Sequence, residues 1–368
     1  AHYGFEQMEL AMDYYRERQR HGHEGLPKEH GVGENEMTPV LSTVDEAHSL
    51  THWTVRRSID FLETRDPTRP FFLWTSFAKP HPPLDPCPNY WALYQNREVP
   101  DPVHGDWSRT LETMPQGFLA STYKLNNAYR MSPAQLRDAK RAYYACITQI
   151  DYQLGLLFAR MREMGLLDNT WILFTSDHGD MMGDHHMGAK SVVFEGAAHI
   201  PLLVRPPLPS WQVRPGSGRR VDALATLADL LPTVLTQAGV PLPGGLDGRD
   251  LVALADAPEE REFYGAYGED CFALIQGEWK YTWTRFGGDD LLFHLATDPM
   301  EQRNRAADPA AAAIRTAMRE RLICRMAAHG SPAVADGRLV AGPRITGPRD
   351  VPKWPGFHST AVETDLLH

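Results

Sequence analysis

The sequence predicts an α/β chain, with a central, mostly parallel sheet carrying helices on both faces and a smaller C-terminal antiparallel sheet with its own helix. Three observations predict it. Short continuous apolar runs, "PFFLWTSF" (Pro70 to Phe77), "WILFT" (Trp171 to Thr175) and "IPLLV" (Ile200 to Val204), have the character of strands buried on both faces. Between the first two, apolar residues recur at three and four from Leu136 to Met161, a long helix. After about Ala255 the pattern changes to short aromatic strands broken by Gly and Asp.

Taken in order, residues 1 to 42 are polar with little periodicity and read as loop, through "HGHEGLPKEHGVGENEM". From Val44 to Thr64 a helix is predicted, since Leu50, Trp53, Ile59 and Leu62 can share a face. The Pro70 to Phe77 strand runs straight into the turn "AKPHPPLDP". Residues 84 to 130, rich in Pro, Asn and aromatics, predict a long surface excursion near a site. Ser132 and Pro133 form the N-cap and first turn of the long helix, and Gly165 its C-cap. "ATLADLLPTVLTQAG" (Ala225 to Gly239) is a further helix, with Pro232 at a kink or in the first turns. "REFYGAY", "CFALIQG", "WKYTWTRF" and "DLLFHL" make the antiparallel sheet, and a helix runs between Asp308-Pro309 and Gly330. The expected division is a main domain over 1–255, an antiparallel subdomain with helix over 256–330 and an extended tail over 331–368.

Composition narrows the function. Thirty-seven basic against 47 acidic residues give a net charge of −10, which disfavours nucleic acid and anionic membrane surfaces as partners. An anionic substrate then needs a local cationic pocket. The four cysteines, Cys87, Cys146, Cys271 and Cys324, share no CxxC spacing, so neither a zinc knuckle nor a disulfide framework is suggested. A reducing, cytoplasmic setting is expected, with the periplasm as the alternative. No apolar run approaches the roughly 18 residues that cross a bilayer.

In an open α/β sheet, functional side chains gather beyond the carboxyl ends of strands. Ser176, Asp177, His178 and Gly179 stand at such a tip, within "DNTWILFTSDHGDMMGDHHMGAK". A carboxylate beside a neutral imidazole is half of a site for a hard cation. A lone Asp-His pair is more often a capped turn with solvated histidines. Here Gly179 and Gly183 permit close backbone approach and Lys190 brings a cation to the same loop, so the functional reading leads. His185 and His186 are secondary candidates, of which one is expected to face the site. At the other tip, "KPHPP" holds His81 stiffly between prolines, suited to proton transfer or an anionic oxygen.

Together these segments resemble the sulfatase family of the alkaline phosphatase superfamily. "PFFLWTSFAKPHPPLDP" is similar to that family's strand and PHxP turn, and "ITQIDYQLGLLFARMREMGLLDNTWILFTSDHGDMMGDHHMGAK" to its long helix, strand and DHG loop ending in Lys. "IPLLVRPP", "LADLLPTVLTQAGVPLPGGLDGRDL" and "WKYTWTRFGGDDLLFHLATDPMEQRNRA" resemble later segments in the same order. The resemblance implies an alkaline-phosphatase-like sandwich and hydrolysis of a small anionic ester. It implies Asp177 and His178 as ligands of a divalent metal ion, Ca²⁺ with Mn²⁺ or Mg²⁺ as alternatives. It implies that Lys190 binds the sulfate or phosphoryl oxygens, and that His81 contacts the transferring group or protonates the leaving oxygen.

The departure lies in the nucleophile. Sulfatases carry an N-terminal pair of aspartates that complete the metal site, and a CxPxR or SxPxR motif whose Cys or Ser becomes formylglycine. Neither motif is in these 368 residues: Cys87 stands in "CPNYW" and Cys146 in a predicted helix. The expectation is the larger C-terminal part of a sulfatase-like hydrolase, with weak or no turnover by this part alone. The competing readings are a phosphonate monoester or phosphodiester hydrolase, and an inactive fragment or binding protein. The tail residues Trp354, Phe357 and His358 offer an arm to the cleft or to a second copy in a homo-oligomer, against the plainer expectation of packing on their own surface.

Overall fold

The computed structural model describes residues 5–20, 30–33, 35–119, 128–209, 218–268 and 270–343. The tail residues Trp354, Phe357 and His358 lie outside them. Helix α1 (Ala11–Arg20) occupies part of the region expected to be loop. Only Tyr14 and Arg18, four residues apart, are buried in it, so its contact stripe is too thin to show as periodicity. Tyr14 donates from its hydroxyl to the His48 carbonyl at 2.7 Å and sets its ring edge-on to Trp53. Helix α2 (Leu50–Thr64) starts later than the pattern predicts, because a single 3₁₀ turn at Glu46–His48 precedes it and Ser49 caps it. Helix α3 (Pro88–Tyr94) interrupts the irregular excursion.

Helix α4 (Pro133–Glu163) forms as expected, closed by a capping box between Ser132 and Gln135. Gly165, at φ +69°, ends it, and the Leu166 amide donates back to the Met161 carbonyl at 2.8 Å. Val55 and Leu62 of α2 pack on Leu157 and Met161 of α4.

Two strand expectations need correction. The run from Pro70 to Phe77 is extended, but among the described residues it joins no ladder. Its side chains alternate: Phe71, Leu73 and Phe77 pack on the α2–α4 core, while Phe72 and Trp74 face outward, 54% and 68% exposed. One face is buried, not two. Strands β1 (Ile172–Thr175) and β2 (Leu202–Arg205) pair antiparallel, Ile172 opposite Arg205 and Thr175 opposite Leu202, rather than parallel. A parallel neighbour needs a crossover back to the start of the first strand. Here segment 176–201, with the short helix α5 (Glu195–Ala198), stays at the tip of β1 and re-enters the sheet there.

Helix α6 (Leu230–Gln237) carries Pro232 in its first turn, and α7 (Leu251–Asp256) follows. Asp229, wholly buried, accepts two bonds from Arg261 at 2.8 and 2.9 Å and one each from the amides of Thr226 and Arg249 at 2.7 Å. Burial alone would raise its pKa, but these donors outweigh burial and hold it below the usual carboxylate range. A depressed carboxylate contributes stability above its unfolded pKa and loses it as pH falls through the folded value. Asp229→Asn is therefore expected to cost about 1.5–3 kcal/mol at pH 7, shrinking toward pH 3; equal urea midpoint shifts at both pH values would contradict this.

The C-terminal antiparallel sheet appears as predicted, in the order β3 (Glu262–Tyr267), β4 (Cys271–Gln276), β5 (Trp279–Thr284), β6 (Asp290–His294). One face, with Phe272, Leu274, Tyr281, Trp283 and Leu292, is covered by Met318, Leu322 and Met326 of α8 (Ala312–Ala328). The opposite face, with Cys271, Ala273, Leu291 and Phe293, packs against Trp107, Phe118, Met181, Met187 and Phe194. The loop beyond β1 thus sits on this sheet. A two-residue pairing, Val334–Ala335 with Arg338–Leu339, follows α8 in what was expected as extended tail.

Candidate functional site

The two turns singled out in the sequence converge. His81 sits on the proline-rich turn, and its Nδ1 lies 2.7 Å from the Pro82 carbonyl. A carbonyl can only accept, so Nδ1 carries the proton and Nε2 presents its lone pair. Lys190 donates to that Nε2 from Nζ at 2.6 Å. Burial lowers the pKa of His81, and the Lys190 charge lowers it further. Lys190 is itself lowered by burial, against which Asp180 and Asp177 act. A neutral imidazole beside an ammonium results.

The second pair lies alongside, with the His81 and His178 rings 6.5 Å apart, centroid to centroid. His178 Nδ1 donates to the Gly179 carbonyl at 2.8 Å, so in the neutral imidazole Nε2 carries the lone pair, 3.5 Å from Asp177 Oδ2. Two lone-pair atoms turned toward each other suit a shared cation, and the carbonyl bond fixes the imidazole tautomer a metal requires. Asp177 and His178 therefore fit two ligand positions of a hard divalent ion, which takes six or more. Among the described residues, no group of three or more His, Cys, Asp or Glu side chains is placed to hold a metal.

Loop geometry explains the glycines. The Gly179 amide donates to the Ala197 carbonyl at 2.7 Å, and a Cβ at Gly179 would stand 2.2 Å from the Gly196 carbonyl oxygen. Gly183, at φ +94°, turns the chain back so that its amide meets the Met187 carbonyl. Asp180 ties the loop across its width, accepting from the amides of Met182 and Ala189 at 2.9 and 3.0 Å. Gly179→Ala is expected to destabilise the protein by about 1–3 kcal/mol through backbone displacement. An unchanged urea midpoint would show that the loop yields freely.

All four leading residues, His81, Asp177, His178 and Lys190, meet in one cluster. His185 and His186 do not join it. His185 is buried beneath Trp107, within 2.7 Å of Ser108 Oγ and 3.2 Å of the Met300 carbonyl, and burial lowers its pKa to about 4. His186 stacks on His104 with centroids 4.2 Å apart. Sequence reasoning overlooked Lys79, Asp85 and Asp180. Lys79 pairs with Asp85 and donates to the Pro83 carbonyl at 2.6 Å, bracing the turn that carries His81, and Asp85 also meets His30 at 3.3 Å. The available signal was a Lys and an Asp flanking "PHPPL".

Comparison with known proteins identifies the family. The family model described as Sulfatase matches residues 12–240. An arylsulfatase of Clostridium perfringens is 36% identical over 265 residues, 69% of this chain and 53% of that protein. A choline-sulfatase of Rhizobium meliloti is 30% identical over 292 residues, 76% of this chain and 54% of that protein. The chain spans about half the length of these curated relatives. Among solved structures, the phosphonate monoester hydrolase of Agrobacterium radiobacter superposes with a TM-score of 0.70 at 25% identity, covering 91% of this chain and 74% of that one.

Proposed function

The chain belongs to the sulfatase family, and on that premise we propose that the cleft of His81, Asp177, His178 and Lys190 serves hydrolysis of small sulfate esters. The observation that carries the reading is the 2.6 Å contact between Lys190 Nζ and His81 Nε2 beside the Asp177–His178 pair. Lys190 supplies fixed positive charge to ester oxygens, an interaction that strengthens as charge develops on them. As an ester oxygen takes over the Lys190 hydrogen bonds, His81 Nε2 is freed to hold a proton for the leaving oxygen. His81 takes that proton from water, since Lys190 must keep its own to hold the ester oxygens.

Sulfatases use a divalent metal and a formylglycine nucleophile. Asp177 and His178 would hold the ion, Ca²⁺ with Mn²⁺ or Mg²⁺ as alternatives, and it would supply Lewis-acid stabilisation of the transferring group. The nucleophile motif is not among these residues, so turnover by them alone is expected to be weak or nil. Sulfate binding is then the direct readout. The four cysteines are unpaired, which supports a reducing, cytoplasmic setting over a periplasmic one. Among the described residues no helix is long and apolar enough to cross a membrane.

Two measurements test the proposal. Any residual initial rate should be higher on 4-nitrophenyl sulfate than on a 4-nitrophenyl phosphodiester and should fall with EDTA. Sulfate binding by calorimetry should weaken in Lys190→Ala. Faster phosphodiester turnover would favour the phosphohydrolase reading. No turnover, no bound divalent metal and no sulfate binding would favour an inactive binding protein.

A further inference from the structure

A second polar cluster lies apart from the cleft, where the turn before α2 meets α3 and α4. A groove of about 430 Å³ opens there, floored by Glu46 and Gln153 and walled by Tyr90, Leu93, Tyr152 and Leu156. That volume suits a small molecule. None of these residues belongs to the His81–Lys190 cluster.

Glu46 is held in one orientation. Its carboxylate accepts from the Tyr90 hydroxyl at 2.6 Å, the Gln153 amide at 2.9 Å and the Asn89 amide at 3.0 Å. Gln153 is itself 98% buried, and its Oε1 meets His52 Nδ1 at 3.0 Å, so the floor is locked from behind. Every donor to Glu46 is neutral, and among the described residues no Lys or Arg pairs with it. The charge is therefore placed but not cancelled, unlike that of Glu17, Asp85 or Asp229, each paired with a cation.

The walls are aromatic and apolar, and they are open. Tyr152 meets the Tyr90 ring edge-on at 5.7 Å and is 61% exposed. Leu93 and Leu156 are 49% and 50% exposed. Tyr90 with Leu93, and Tyr152 with Leu156, are spaced three and four apart, so each helix turns one face into the groove. A fixed carboxylate beside tyrosine faces attracts an ammonium, by charge and through the ring quadrupoles. Exposed leucines reward an apolar substituent on the same ligand. An inorganic cation would forgo the walls, a neutral molecule would forgo Glu46, and an anion would be repelled.

We propose that this groove is a binding site for small organic cations, primary or N-methylated ammonium ions with an apolar body, built from Glu46, Tyr90, Tyr152, Leu93 and Leu156. It is independent of the sulfatase reading, since it shares no side chain with the cleft. Benzylammonium and benzyl alcohol, alike in size and different in charge, are the probes. Ligand-observed NMR titration at pH 7 should give a millimolar dissociation constant for benzylammonium, about ten-fold or more below that of benzyl alcohol. Glu46→Gln should abolish that discrimination, and Tyr152→Ala, at an exposed position that leaves the fold intact, should weaken benzylammonium binding about 3-fold or more. Equal binding of both probes, discrimination retained in Glu46→Gln, unchanged affinity in Tyr152→Ala, or no benzylammonium binding below about 50 mM would each overturn the proposal. Preference for benzyl alcohol would instead mark the groove as an apolar docking face.

Discussion

Replacing Lys280 by Ala is expected to cost about 3–5 kcal/mol of folding stability at pH 7. Lys280 lies on β5 with no exposed surface, its Nζ 2.5 Å from Glu195 Oε1 and 2.8 Å from Glu301 Oε1. Glu301 is 1% exposed, at φ +55°, and its other oxygen accepts from the Glu195 amide at 2.7 Å. Removing the ammonium leaves the buried Glu301 carboxylate facing that of Glu195, which is part-exposed and also meets His199 at 2.7 Å. Burial already raises the Glu301 pKa, with Lys280 acting against it, and in the variant the rise is greater. An acid whose folded pKa is raised loses stability as pH climbs through that value and recovers it when protonated. The penalty should therefore be smaller at pH 5 than at pH 7. Urea unfolding at both pH values measures it, and an equal loss at both would rule out the ionic account.

In a form that carries the nucleophile motif, His81→Ala is expected to lower kcat/KM on an aryl sulfate by about 10²–10⁴-fold, the usual worth of a placed proton donor or acceptor. The pH profile separates this from a merely structural effect. With its pKa lowered by burial and by Lys190, a His81 that must be protonated to serve the leaving oxygen should make the parent rate fall as pH rises, along a limb below the ordinary histidine value. That limb should vanish in the variant, and added imidazole should restore part of the rate. A variant with the parent pH profile and only a shifted KM would make His81 a positioning residue. The bond from Lys190 to His81 Nε2 predicts that Lys190→Ala moves the same limb toward higher pH, because a repelling charge is gone.

The parts of this architecture legible in the sequence are the local ones. The DHG loop and the PHPP turn each declare themselves over a few residues, because Gly and Pro restrict the backbone where they stand. Helix α4 is legible for the same reason, its cap and its apolar spacing lying within a single segment. Strand direction is not local. "WILFT" and "IPLLV" are apolar whichever way they pair, and only the path of segment 176–201 makes them antiparallel. Burial of the Pro70 to Phe77 run is not legible because aromatic residues fill both of its faces, so the alternation between Leu73 and Trp74 has no polar counterpart. The histidine pair shows the limit most clearly. His185 and His186 are adjacent and chemically alike, yet a positive φ at each sends one beneath Trp107 and the other onto His104.

The stacking of Trp107 on Phe194, with Phe293 of β6 5.9 Å away, makes the cleft inseparable from the C-terminal sheet. A chain cut near residue 255 would retain His81, Asp177, His178 and Lys190 and lose the seat on which Met181, Met187 and Phe194 rest. The four side chains proposed for the site would still be encoded but no longer aimed. Grafting the loop onto another scaffold would fail for the same reason unless the aromatic seat travelled with it, so the smallest transferable unit of the proposed site includes a sheet that contributes none of its four side chains.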